Sequence, residues 1–299
     1  MTLPPPLERP ALNSSSSPLR APSGSGKRVR AAAGVLVAGS ALLLAPTAAE
    51  GAGGAGPSLP TRSQLHLFLL VGQSNMAGRG DVEPGDQQPI PNVLAVNAAG
   101  EWVPAIDPLH WDKPAAGVGL ARTFAIHYLA SHPGVSVGFI PAAVGGSPIS
   151  SWLPGAYYAE TKSHPYDDAL ARARPALARG TLTGILWHQG ESDRSAELAP
   201  RYERALSELI ARFRRDLNAP RVPFLIGQLG QFAGAPWDEY ALSIDRALRQ
   251  VASSVPFTAF VPSHGLAAKP DNLHFDAPAL REFGRRYAAA FAELSATSK

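Results

Sequence analysis

The 299-residue chain contains no cysteine. That single absence excludes disulfides, cysteine-ligated zinc and thiol nucleophiles together. Charge is sparse too, 17% of residues against 45% hydrophobic, a balance that suits one sizeable α/β domain. No internal repeat is visible. The formal net charge of +3 is misleading, because residues 1–49 hold five basic residues (Arg9, Arg20, Lys27, Arg28, Arg30) and one acid, Glu8. The remainder carries 22 basic and 23 acidic side chains, so it has no global pull towards nucleic acid or an anionic membrane.

Residues 1–62 do not read as part of the folded body. The opening "PPPLERPALNSSSSPLRAPSGSGKRVR" is rich in Pro, Ser and Arg and buries too little apolar surface to offset chain entropy. Lys27, Arg28 and Arg30 then precede the apolar stretch "AAAGVLVAGSALLLAP", and Thr47-Ala48-Ala49 supplies small residues for a signal peptidase. The stretch is short for a membrane span, so the reading is a cleaved export signal over about residues 27–49, with no stable membrane insertion afterwards. Residues 50–62 read as a flexible linker. A secreted or periplasmic protein is expected, and the excess of Arg over Lys with abundant Ala points to a GC-rich bacterial genome.

From residue 63 to the end the expectation is one domain. Apolar β-rich runs at Leu65–Val71, Val93–Val96, Val135–Ile140, Gly184–His188, Val222–Gly227 and Thr258–Val261 alternate with helical patterns. The helices are expected at Leu120–Ser131, Asp168–Ala178, Pro200–Asn218, Trp237–Ser253 and Ala277–Leu294. The runs are continuously apolar, as strands covered on both faces are. Within the third helix Tyr202, Leu206, Leu209, Ile210, Phe213 and Leu217 form one stripe for burial, and the Arg and Glu residues between them form a solvated face. A three-layer α/β/α sandwich with a mostly parallel sheet of five or six strands follows. In such sheets sites lie beyond the carboxyl ends of the strands.

Polar clusters fall at those ends: Gly72-Gln73-Ser74-Asn75, Ala143-Val144-Gly145-Gly146-Ser147 and Trp187-His188-Gln189-Gly190-Glu191-Ser192-Asp193, joined by Asp271-Asn272-Leu273-His274 before the last helix. Ser74 needs a base to become a nucleophile, and His274 can take and return its proton. A carboxylate must then fix the imidazole tautomer, and Asp271, three residues earlier, can bend back onto the ring. Donors for a developing oxyanion are available in the Ser74 N–H and an N–H of Gly145-Gly146, with the side-chain amide of Gln189 or Asn75 as a third. Met76 occupies the place of the second glycine of a Gly-x-Ser-x-Gly elbow, which argues against an ordinary lipase.

The blocks "GQSNM", "GGSPISSW", "WHQGESD" and "DNLH" resemble those of the sialate O-acetylesterase and acetyl-xylan esterase group of carbohydrate esterases, a branch of the SGNH hydrolases, over about residues 65–294. The resemblance implies a flavodoxin-like sandwich and a Ser-His-acid mechanism that removes acetyl groups from sugar hydroxyls with no metal or other cofactor. Carried over, Ser74 is the nucleophile and His274 the base, with Ser74, Gly145 and Gln189 around the oxyanion. General SGNH enzymes have Gly-Asp-Ser and a block-three Asn, where this chain has Gly-Gln-Ser and Gln189, as its branch does. The branch assigns the Glu of the "HQGE" block as partner of the histidine, whereas the general pattern uses the Asp three residues before it. Both are present, so Glu191 stands beside Asp271 as a second carboxylate that orients His274 or binds sugar.

Trp152 is either a platform for a sugar face or a packing plug. Arg122 reads as a surface helix residue. Loops Asp81–Pro91 and Trp152–Pro165 are expected to set which acetylated carbohydrate is the partner. Two other classes compete. A zinc hydrolase would recruit His188, Glu191, His274 and Asp271, and a glycan-binding module without catalysis would bind glycan and release no acetate.

Overall fold

Strand β1, Leu65–Gly72, is apolar at nearly every position because it is buried on both faces. Leu67, Leu69 and Val71 enter one core, while Phe68 and Leu70 enter the other. This is the period-two pleat of a strand sandwiched between helix layers. The computed structural model describes residues 59–297. The expected export signal and leader and most of the expected linker lie outside the described residues. Among the described residues no helix is long and apolar enough to cross a membrane.

The other strands are β2 (Val93–Val96), β3 (Trp102–Pro104), β4 (Ser136–Pro141), β5 (Thr181–His188), β6 (Phe224–Gly227) and β7 (Thr258–Val261). They form one sheet in the order β3-β2-β4-β1-β5-β6-β7. Every pairing is parallel except that of β2 with β3. The sheet therefore has seven strands, not five or six. The additional strand is a three-residue antiparallel edge, too short for any period to register in the sequence.

Helices cover both faces. A one-turn helix α1 (Ser74–Ala77) follows β1, and the longer helices are α2 (Ala121–Ala130), α3 (Pro165–Leu177), α4 (Tyr202–Asp216), α5 (Glu239–Ser254) and α6 (Ala277–Thr297). Buried residues of α2 and α6, among them Phe124, Phe283 and Phe291, pack with Phe68 and Leu70. Those of α3, α4 and α5 pack on the opposite face, where the whole expected stripe of Tyr202, Leu206, Leu209, Ile210, Phe213 and Leu217 is buried. The α/β/α sandwich is thus the observed architecture.

Arg122 departs from the expectation of a surface residue. It is buried on α2, where it donates to Gln88 O and lies 3.8 Å from Asp107. The stretch Asp81–Pro91 curls over this pair, and its Asp86 accepts two 2.8 Å bonds from Arg281 of α6. That expected specificity loop is therefore tethered to the body at its centre.

Candidate active site

β1 lies at the middle of the sheet between β4 and β5, so the three polar strand ends must meet. Gly72 closes β1 at φ +125°, and a Cβ there would lie 2.1 Å from His188 O. Only glycine allows this approach. The Gln73 N–H then donates to His188 O at 2.9 Å, which turns the chain so that Ser74 opens α1 at the floor of a cleft. The cleft is about 450 Å³ and is lined by Ser74, Gly145, Gly146, Glu191, Asp271 and His274 among others.

The segment before α6 comes back from the edge strand β7 to this floor. His274 Nε2 lies 2.9 Å from Ser74 Oγ, and His274 Nδ1 lies 2.6 Å from Asp271 Oδ2. The other oxygen of Asp271 accepts the N–H groups of Leu273 and His274, both at 2.9 Å. Burial works to raise the Asp271 pKa, but the N–H and ring of His274 and the N–H of Leu273 outweigh it and hold the carboxyl down to about 2. Asp271 is thus a fixed anion facing one ring nitrogen, with a hydroxyl at the other.

Asn75 and Glu191 have different partners from those expected. Asn75 Nδ2 donates to Glu191 Oε1 at 2.6 Å and to Leu273 O at 3.2 Å, while its Oδ1 accepts the Phe275 N–H at 3.1 Å. Both of its side-chain N–H donors are engaged within the protein, so it is not a free oxyanion donor. It grips the chain on either side of His274 instead. Glu191 Oε1 also lies 3.2 Å from His188 Nε2, and no bond joins it to His274. Burial would raise the Glu191 pKa, but His188 and Asn75 pull it below the ordinary value. His188 and Glu191 form one pair and His274 and Asp271 another. Among the described residues no three His, Asp or Glu side chains are grouped as metal ligands.

Gln189 is likewise withdrawn from the cleft. It is fully buried, and its Nε2 donates to Gln73 Oε1, Ser147 O and Asp193 Oδ2 while its Oε1 accepts from Tyr202. An amide with its donors already surrounded by three acceptors has none to spare. Trp152 is also buried completely, packed edge-on at 5.3 Å from Trp187 with its indole N–H donated to Ser147 Oγ. It is a packing plug and offers no face to a sugar.

The glycine pair is split. Gly145 N–H donates to Asp112 Oδ2 at 2.8 Å, so the expected donor already has an acceptor. Gly146, at φ +83°, also lines the cleft, and its N–H and that of Ser74 have no acceptor among the described residues. Three basic residues missed in the sequence complete the surroundings. Arg79 pairs with Asp112 at 2.7 Å, Lys113 with Glu160 at 2.9 Å and Lys269 with Asp81 at 2.6 Å. Arg79, Lys113 and Lys269 line the cleft from loops with no periodicity, so the sequence carries no pattern that marks them.

The family model described as "carbohydrate esterase, sialic acid-specific acetylesterase" matches residues 64–293. A probable carbohydrate esterase of Arabidopsis thaliana is 30% identical over 246 residues, which cover 75% of this chain and 89% of that relative. The X-ray structure of that plant protein superposes with a TM-score of 0.67 at 28% identity, covering 78% of this chain and 99% of its own. A carbohydrate acetylesterase from Xanthomonas citri shares the fold, with a TM-score of 0.62 at 20% identity over 77% of this chain and 57% of that one.

Proposed function

The chain belongs to the sialic acid-specific acetylesterase family of carbohydrate esterases, and from that membership we propose that it removes acetyl groups from carbohydrate hydroxyls through Ser74, His274 and Asp271. The observation that carries this reading is the continuous file from Asp271 Oδ2 through His274 to Ser74 Oγ, with links of 2.6 and 2.9 Å. In the first half-reaction Ser74 Oγ bonds to the acetyl carbon while its proton passes to His274 Nε2. The carbonyl oxygen becomes an anion facing the N–H groups of Ser74 and Gly146. Collapse breaks the bond to the sugar oxygen, which leaves with the proton held by His274. Water then repeats the sequence on acetyl-Ser74, releasing acetate and restoring the serine.

Asp271, held ionised by three hydrogen bonds, keeps the ring proton on Nδ1, so that Nε2 faces Ser74 as an acceptor. Glu191 acts on this machinery through Asn75. The substrate is an O-acetylated glycan: an acetylated sialic acid, xylan or a related polymer. The ammonium groups of Lys113 and Lys269 at the cleft favour an acidic sugar, because each can exchange its carboxylate partner for one on the ligand. The Lys27–Ala49 pattern supports action outside the cytoplasm.

The test is acetate release from a panel of acetylated sialosides and xylan by wild-type and Ser74→Ala protein. The variant is expected to lose at least about 10³-fold in kcat with unchanged thermal unfolding, as loss of a triad nucleophile does. Full activity in the variant would refute the serine mechanism, and glycan binding without acetate release by the wild type would make the protein a binding module.

A further inference from the structure

Three segments meet beside the nucleophile in one buried ion pair that the reaction scheme above leaves without a role. Arg79 follows α1, Asp112 sits in the long loop between β3 and α2, and Gly145 lies in the turn after β4. Their side chains are almost inaccessible, 7% exposed for Arg79 and 3% for Asp112. A single oxygen, Asp112 Oδ2, accepts both Arg79 Nη2 at 2.7 Å and Gly145 N–H at 2.8 Å. Arg79 Nη1 donates in turn to Gly78 O at 2.8 Å, the residue that caps α1.

The pair lies directly against the turn. A Cβ on Gly145 would come within 2.4 Å of Arg79 Nη2 and 2.7 Å of Asp112 Oδ2. Gly145 is not among the residues of positive φ, so its lack of a side chain answers to space and not to backbone conformation. Gly146 next to it does have positive φ. Fixing the amide of the first glycine therefore fixes where the second one points.

Resting on the serine-esterase reading, we propose that Arg79 and Asp112 position the oxyanion turn: Asp112 holds the Gly145 amide so that the Gly146 amide faces the reacting oxygen, and Arg79 neutralises the carboxylate this places beside the developing anion. Both halves are needed. A carboxylate is the strongest acceptor for locking a backbone N–H, but an unneutralised one in a water-poor site repels the oxyanion it helps to organise. Arg172 and His110 also lie within electrostatic range of Asp112, yet only Arg79 shares its bonded oxygen.

Steady-state kinetics on p-nitrophenyl acetate, with thermal unfolding of each variant, test this. Asp112→Ala is expected to lower kcat about 100-fold, as loss of an oxyanion donor does, and to change KM by less than about threefold. Asp112→Asn keeps an acceptor for Gly145 N–H and should stay within about tenfold of wild type. Arg79→Met should be slower than the double variant Arg79→Met with Asp112→Asn, because the second change removes the unpaired charge. The positioning role is overturned if Asp112→Ala turns over like Asp112→Asn. The neutralising role is overturned if the double variant is no faster than Arg79→Met. Should Asp112→Ala fail to fold, the positioning role is overturned by a loss well beyond about tenfold in a folded Asp112→Asn, and the comparison of Arg79→Met with the double variant still decides the neutralising role. Failure of the esterase reading itself is distinct, since it would show as activity surviving in Ser74→Ala.

Discussion

Asn75 Nδ2 donates to Glu191 Oε1 across 2.6 Å, so the carboxylate just past the end of β5 is bonded to the residue after Ser74 and not to His274. The histidine receives its charge partner from within its own turn, Asp271. The two acids left open by the sequence thereby acquire separate tasks, one facing the imidazole and the other holding the residue that grips the imidazole's chain.

This division predicts unequal kinetics. In the Asp271→Asn variant an amide N–H faces His274 Nδ1, which drives the ring proton onto Nε2 and removes the acceptor for Ser74. A fall of about 100-fold or more in kcat is expected. Glu191→Gln keeps an oxygen for Asn75 Nδ2 and should cost less than about tenfold. Measuring kcat for acetate release by both variants checks the ranking, and the reverse order would hand the role to Glu191.

Trp152 behaves as core in this geometry. Trp152→Ala should destabilise the fold by about 3–5 kcal/mol through lost contacts and an unfilled cavity. KM for acetylated sugars should be unaltered at temperatures where the variant remains folded. Denaturant unfolding and KM together make the check. A raised KM at undiminished stability would mean that the indole meets the substrate after all.

Asp193 supplies a pH signature. Burial pushes its pKa up to about 6, against the bonds from Gln189 and the Ile149 N–H that favour its anion. A carboxyl with a raised folded-state pKa favours the fold when protonated, so its ionisation costs stability as pH rises from about 4 to 6. Above that range the cost is about 3 kcal/mol. Asp193→Asn retains an acceptor for both donors and cannot ionise. Its stability relative to wild type should therefore grow between pH 4 and 6 and then level off, as urea unfolding at a series of pH values would show. A flat difference would contradict the shift.

Much of this molecule was legible from local chemistry. Continuous apolar runs marked six of the seven strands because burial on both faces leaves no polar position, and α4 was legible from its 3.6-residue stripe. Ser74 and His274 could be paired, 200 residues apart, because parallel strands deliver their carboxyl ends to one edge. Asp271 was open to local reasoning since three residues suffice to fold it onto the ring. The short edge strand β3 left no such trace, and the burial of Arg122 depends on a loop lying over it.

The amino-acid order by itself determined the six longer strands, the main helices and the residue types at each strand end, and it favoured Asp271 as partner of His274, all consequences of short-range spacing. Only the tertiary structure decided which hydrogen-bond donors remain free. Gln189, Asn75 and Gly145 are chemically fit to face an oxyanion, but Gln73, Glu191 and Asp112, brought in from other segments, already accept their N–H groups. A donor's direction is set by whichever acceptor packs against it, and that acceptor is chosen by folding, not by sequence proximity.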